Sequence, residues 1–240
     1  SSPVPMSNIA TVLRQSVSST SRNTVKNEFI DSLSATVNQG WEAIKQGQFW
    51  QHVLNRPVTR EFYHDLMVEI YHYTRHNSMN QAATAFVAAP EGLLKFAYHH
   101  AADELGHERM VTHDLESIGL LDRQVLNRAP LPATEALIGY LYFVALKYGP
   151  IARLGYSFWA EDAYEHIDDV LRKIKGDLSL TDKNMSFFVA HASIDEKHSA
   201  QVHACIERYA TTPNDQALIR TVAQTTLFLT GQMMEQVAQL

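Results

Sequence analysis

Pro90, Pro150 and Pro213 each head a long stretch in which apolar residues recur every three to four positions, and this placement constrains the fold more than any other feature. A proline is tolerated in the first turn of a helix, where its missing N–H has no partner to lose, and costs about 3 kcal/mol in a helix interior. With 8 prolines and 10 glycines in 240 residues, long uninterrupted segments remain between the breaks. The periodicity predicts helices over 26–46, 48–55, 59–88, 90–119, 133–148, 150–175, 182–210 and 213–238. Thr181 or Ser179 supplies a cap for the segment from 182. No strand-length alternation, phosphate-binding glycine loop or internal repeat competes with this pattern. An all-α, single-domain bundle of about seven or eight helices follows.

Residues 1–24 read as a Ser/Thr-rich flexible leader, with 1–5 a non-native extension before Met6, and 25–240 as the helical domain. The polar, proline-bearing segment 121–133 reads as a lid or a crossover. A net charge of −6, scattered along the chain, offers no basic footprint for nucleic acid or an anionic membrane. No apolar run reaches the roughly 18 residues of a bilayer span. The expected partner is a small-molecule substrate and the expected location cytoplasmic. One cysteine, Cys205, cannot form an internal disulfide, which fits a reducing compartment, and reads as a small buried thiol.

The chemistry begins in AHASIDEKHSAQVHA, residues 190–204. At about 100° per helical residue, His191, Asp195 and His198 fall on one face, and Phe187, Ile194, Val202 and Cys205 continue that face as a core stripe. A second stripe, Leu93, Ala97, Ala101, Val111, Leu115 and Ile118, contains Glu104 and His107. An ionised carboxylate in a protein interior costs several kcal/mol unless it is paired or coordinates a metal. A third stretch, YSFWAEDAYEHIDDVL, offers Glu161, which follows Leu154 and Phe158, with Glu165 and then Asp162 behind it.

The resulting set is Glu104, His107, Glu161, His191, Asp195 and His198. Mixed oxygen and imidazole donors suit iron or manganese, whereas structural zinc would want thiolates. Helical bundles build two-metal sites from an acid-x-x-His pair plus acids from other helices. Two plainer readings compete. A lone histidine on an apolar stripe is usually a core imidazole bonded to a carbonyl, and Glu196 and Lys197 make a solvated salt-bridge ladder conceivable at 191–198. The stripe through Phe187 and Val202 argues against the ladder. His99, His100, His113, His166 and His203 are read as surface or packing residues. Tyr73, His76 and Asn80, at helical spacing, offer lining for a substrate pocket, and Arg75 or Arg153 could hold the carboxylate of an acidic substrate.

DELGHE (103–108), AEDAYE (160–165) and above all HASIDEKH (191–198) resemble the haem-oxygenase-like non-haem di-iron oxidases and oxygenases, whose fold is shared with thiaminase II and pyrroloquinoline-quinone synthase. The resemblance runs from about Asn27 to the C-terminus. It implies one iron on Glu104, His107 and His191 and another on Glu161, Asp195 and His198, cycling between Fe(II) and Fe(III), with O2 as co-substrate. The three-residue spacing of Glu104 and His107 is similar to the branch of fatty-acid decarboxylases, and leaves His113 as a less favoured substitute for His107. The implied activity is that of an iron-dependent, O2-using oxidoreductase acting on an amino acid, amine or fatty acid by oxidative decarboxylation, C–C cleavage or N-oxygenation. Alternatives on the same fold are a metal-free thiaminase-like hydrolase using Cys205, a quinone-synthase-like oxidase, and a non-catalytic iron-binding protein. A homodimer is expected from family habit, with the apolar segment TVAQTTLFLTGQMMEQVAQL available for contact.

Overall fold

The computed structural model describes residues 20–240, with side chains from residue 28 onward. The described residues form a bundle of α-helices: α1 (Thr20–Lys45), α2 (Gln48–Asn55), α3 (Arg60–Ala83), α4 (Glu91–Glu104), α5 (Glu108–Ser117), α6 (Arg123–Leu126), α7 (Pro132–Tyr148), α8 (Pro150–Ala160), α9 (Tyr164–Asp177), α10 (Ser186–Tyr209) and α11 (Pro213–Ala238). Most of the expected leader, residues 1–19, lies outside the described residues, and α1 begins within the rest of it, at Thr20.

The boundary chemistry accounts for the segmentation. Thr59 caps α3 by accepting from the Phe62 N–H, and Thr212 does the same for α11 from the Asp215 N–H, with Pro213 in the first turn. Thr181 caps the 3-10 turn Asp182–Met185, and α10 starts only after it. The start of α10 is tied across the fold to Asp114 of α5, whose carboxylate accepts from the Ser186 N–H (3.0 Å), the Ser186 hydroxyl (2.6 Å) and the Phe187 N–H (2.9 Å). Because α10 carries His191 one turn later, this contact fixes where that imidazole stands.

Two helices expected to be continuous are broken. The segment 90–119 divides at Leu105–His107, where Leu105 turns extended and Gly106 adopts φ +85°, a conformation open to glycine without a Cβ penalty. The segment 150–175 divides at Glu161–Ala163, where successive N–H groups of Asp162 and Ala163 bond three residues back and tighten the chain. Segment 121–133 contains the short helix α6 and is pinned as a crossover: the Leu131 N–H donates to Glu69 Oε1 and the Ala133 N–H to Gln236 Oε1.

The core is centred on Trp41, which meets Trp50 and Trp159 edge-on, together with Leu33, Tyr63, Met67, Leu137, Leu141 and Leu154. α11 runs through it, packed on α8, α7 and α1. The approach to α8 is closest at Gly155, where a Cβ would stand 2.2 Å from the carbonyl oxygen of Ile219. α8 is thereby held rigidly, and it carries Arg153 and delivers Glu161 at its end. No described helix is long and apolar enough to cross a membrane.

Candidate metal centre

The breaks at 105–107 and 161–163 place Glu104 and His107, and Glu161, opposite the middle of α10. On α10, His191, Asp195 and His198 share the buried face with Phe187, Val202 and Cys205. Glu104 is flanked by His107, whose Nδ1 lies 3.2 Å from Oε2, and His107 Nδ1 is 3.1 Å from His191 Nε2. One donor atom from each of Glu104, His107 and His191 lies within 4.8 Å of the others. The structure thus brings Glu104, His107, Glu161, His191, Asp195 and His198 together in the interior.

It also brings in His100, which sequence reasoning left among packing residues. His100 sits one turn before Glu104, its side chain buried, with Nε2 2.9 Å from Glu161 Oε1 and 3.6 Å from Glu104 Oε1. Donor atoms of His100, Glu104, Glu161 and His198 form a second group within 4.8 Å. The signal was present in the chain: His100-x3-Glu104-x2-His107 repeats the spacing of His191-x3-Asp195-x2-His198. Gln81 on α3 lies behind His100, 2.9 Å from its Nδ1.

The electrostatics of the cluster follow from crowding. Burial raises Glu161, but the hydrogen bond from His100 and the adjoining His198 imidazole outweigh it and hold the carboxylate well below its ordinary range. Burial raises Asp195, and the adjoining Glu161 charge raises it further, well above the ordinary carboxylate range. For Glu104, burial is overcome by the His107 hydrogen bond and the His100 charge, with a net fall. The Glu104 carboxylate beside His107 and the Glu161 carboxylate beside His198 raise both imidazoles, whereas burial lowers His191.

Two imidazoles have their outward nitrogen fixed. His191 Nδ1–H donates to the Phe187 carbonyl at 2.7 Å, which leaves the Nε2 lone pair facing inward. His198 Nε2 lies 3.3 Å from Asp103 Oδ2 and donates to it, which turns Nδ1 toward Glu161 (3.5 Å) and Glu104 (3.7 Å). That Nδ1 is buried and has no hydrogen-bond partner. Two carboxylates facing one buried nitrogen call for positive charge between them, supplied by a proton on Nδ1 or, in its place, by a metal ion. The donor set and the orphaned nitrogen therefore fit a divalent metal, with Asp103 and the Phe187 carbonyl orienting the rings from behind.

The alternatives weighed from sequence stand elsewhere. Asp162 turns away to accept from the Ser199 hydroxyl at 2.8 Å, and Glu165 and His113 are exposed. His166 stacks on Trp41 and His203 on Phe158. Cys205 is buried, and burial pushes its thiol up to about 11.

A cavity of about 150 Å³ adjoins the cluster, its wall including His100, Glu104, Glu161, His191 and Asp195. The rest is largely aromatic and aliphatic, with Trp41, Phe49, Ile70, Phe187, Phe188 and Met234 among its members. Tyr73 lines it, as does Arg153, whose side chain is 1% exposed. Arg153 donates to Asn80 Oδ1 (2.7 Å), the Ser157 hydroxyl (3.2 Å) and the Asn77 carbonyl (3.3 Å), all neutral acceptors. Asn80 thus acts through Arg153 from behind the cavity wall. His76 bonds Tyr142 at 2.8 Å away from the cavity, and Arg75 lies exposed over Tyr71.

Residues 64–231 match a family described as iron-containing redox enzymes. Among solved structures, a domain of unknown function with a heme oxygenase-like fold from Shewanella denitrificans is 40% identical, covers 87% of this chain and 91% of its own, and superposes with a TM-score of 0.84. A TenA homologue from P. horikoshii is 15% identical, with 88% of this chain and 98% of that one covered and a TM-score of 0.69. A cadd-like protein of unknown function from Nostoc punctiforme, also 15% identical, covers 88% of this chain and 97% of its own at a TM-score of 0.67. These last two share the fold. Curated protein sequences gave no match.

Proposed function

Because this chain belongs to the family of iron-containing redox enzymes and has its haem-oxygenase-like fold, we propose that it is an iron-dependent oxidoreductase that uses O2 on a small organic acid with an apolar body. The observation that carries the reading is His198 Nδ1, buried without a partner and aimed between two carboxylates. Glu104, His107 and His191 would hold one ion. Glu161 and His198, with Glu104 facing both groups, would hold a second, and both His100 and Asp195 are near enough to Glu161 to complete it. When bound, iron supplies electrons for the reduction of O2.

The chain's own residues do the remaining work. The Phe187 carbonyl holds His191 in the tautomer that turns a lone pair inward, and Asp103 holds the His198 ring with Nδ1 inward. The aromatic wall excludes water, and burial keeps Tyr164 protonated beside the cluster, where it is a hydrogen-bond donor rather than a charge. A buried guanidinium whose hydrogen-bond acceptors are all neutral favours an anionic guest, because a carboxylate would give it a direct charge-assisted pair that Glu104 and Glu161, acting on it without a hydrogen bond, do not. Among amino acids, amines and fatty acids, this supports an acid whose carboxylate meets Arg153 while its apolar part fills the cavity.

A hydrolase using Cys205 as nucleophile draws no support from this geometry: the thiol is held protonated by burial and is not on the cavity wall. The test is anaerobic loading of the full chain with Fe(II), followed by O2-uptake measurements with aliphatic and aromatic carboxylic acids and with amines. Iron uptake and acid-dependent O2 consumption are expected. Failure to take up iron would end the reading, and iron retained with no acid accelerating O2 uptake would leave a binding protein.

A further inference from the structure

We propose that His100 is itself a metal ligand, completing the second ion's donor set with Glu104, Glu161 and His198 in the position that the family resemblance gives to Asp195. The proposal rests on the iron-binding reading above and goes beyond it in naming the donor.

Three observations converge. The donor atoms of His100, Glu104, Glu161 and His198 lie within 4.8 Å of one another, whereas Asp195 stands outside this group. The ring of His100 is held in place: Phe96 stacks on it (centroids 5.6 Å apart, planes 15° apart), and His198 meets it edge-on at 5.0 Å. Its outward nitrogen is engaged, as are those of His191 and His198. Behind those rings stand a carbonyl and a carboxylate, and behind His100 stands the Gln81 amide, 2.9 Å from Nδ1. A ligating imidazole nearly always gives its other N–H to such a partner.

The protons balance. As the structure stands, the Gln81 amide nitrogen donates to His100 Nδ1, so the ring proton is on Nε2 and is donated to Glu161 Oε1. Coordination through Nε2 needs that lone pair free. The proton moves from Nε2 to Nδ1, and the Gln81 amide turns end over end so that its oxygen accepts Nδ1–H. The ring neither gains nor loses a proton. Gln81 is a positioning residue, and an amide can serve both tautomers because its two ends are a donor and an acceptor of the same shape.

The experiment is a competition titration of Fe(II) against a chelator, carried out anaerobically on the full chain, with diffraction at the iron edge for the wild type. Two binding steps are expected, with His100 Nε2 about 2.1 Å from one ion, the ordinary metal–imidazole distance. His100→Ala should leave one step unchanged and weaken the other at least tenfold, while Asp195→Asn retains both. Gln81→Leu should weaken the same step about tenfold and Gln81→Glu restore it, since a carboxylate also accepts Nδ1–H. If His100→Ala fails to fold, the Gln81 pair decides: equal second-step affinities in the two variants overturn the proposal. An unchanged second step in His100→Ala, or its loss in Asp195→Asn alone, also overturns it and leaves the functional reading intact. A wild type that binds no iron overturns both.

Discussion

Gly155→Ala tests the geometry that fixes α8. The added methyl would stand 2.2 Å from the Ile219 carbonyl oxygen and 2.9 Å from the Ala223 nitrogen, both backbone atoms of α11 that no rotamer change can move. Restoring an ordinary contact of 3.4 Å requires α8 and α11 to separate locally by 1.2 Å (3.4 − 2.2). Overpacking of this kind costs about 1–3 kcal/mol, and the upper end applies where backbone must shift. Alanine's better helix propensity returns about 1 kcal/mol, so the net loss is about 2 kcal/mol. For a chain of this size that lowers the melting temperature by about 4–8 °C. Gly139, inside α7 with nothing within 4 Å of a Cβ, is the internal control: Gly139→Ala keeps only the propensity gain of about 1 kcal/mol and should raise the melting temperature by about 2–4 °C. The assay is thermal unfolding of the metal-free protein followed by circular dichroism. A Gly155→Ala variant that melts at or above the wild type would refute the close approach of α8 and α11.

Other consequences are equally open to measurement. Arg153→Met should reduce acid-dependent O2 uptake about a hundredfold, the worth of about 3 kcal/mol in a charge-assisted hydrogen-bonded pair. Iron affinity in the same variant should stay within twofold, and a parallel loss of iron would show that Arg153 supports the metal cluster instead of the substrate. Burial lowers His72 to about 4, against about 6.5 in an unfolded chain. The unfolded chain therefore takes up that proton first, so the stabilisation is complete above pH 6.5 and is lost as the pH falls toward 4. His72→Phe should flatten the loss of unfolding free energy between pH 6.5 and 4.5 by about 2 kcal/mol; a slope equal to the wild type's would contradict the assignment. Cys205→Ala should leave acid-dependent O2 uptake within twofold, and abolition of activity would point to thiol chemistry.

The helical architecture was legible because proline and glycine mark its boundaries so cleanly, and the buried face of α10 because that helix runs unbroken through His191, Asp195 and His198. The two breaks were harder to read. Gly106 is an ordinary tolerated residue until its φ of +85° is known, and 161–163 contains no glycine or proline at all. Without the second break, Glu161, Asp162 and Glu165 could not be ranked by periodicity alone. His100 was missed because it was considered singly, although its spacing to Glu104 and His107 duplicates that of the α10 motif. Gln81 and Asp103, which stand behind His100 and His198, lie on other helices from the rings they orient, and no local pattern reveals such partners.

The same two breaks leave little backbone open. The N–H groups of His107, Asp162 and Ala163 return to the carbonyls of Glu104, Trp159 and Ala160, and the Ser78 hydroxyl donates to that of Ala101. The chain thus turns beside each acid by satisfying itself, so Glu104 and Glu161 are not drawn into capping and keep their oxygens for the imidazoles and for a cation.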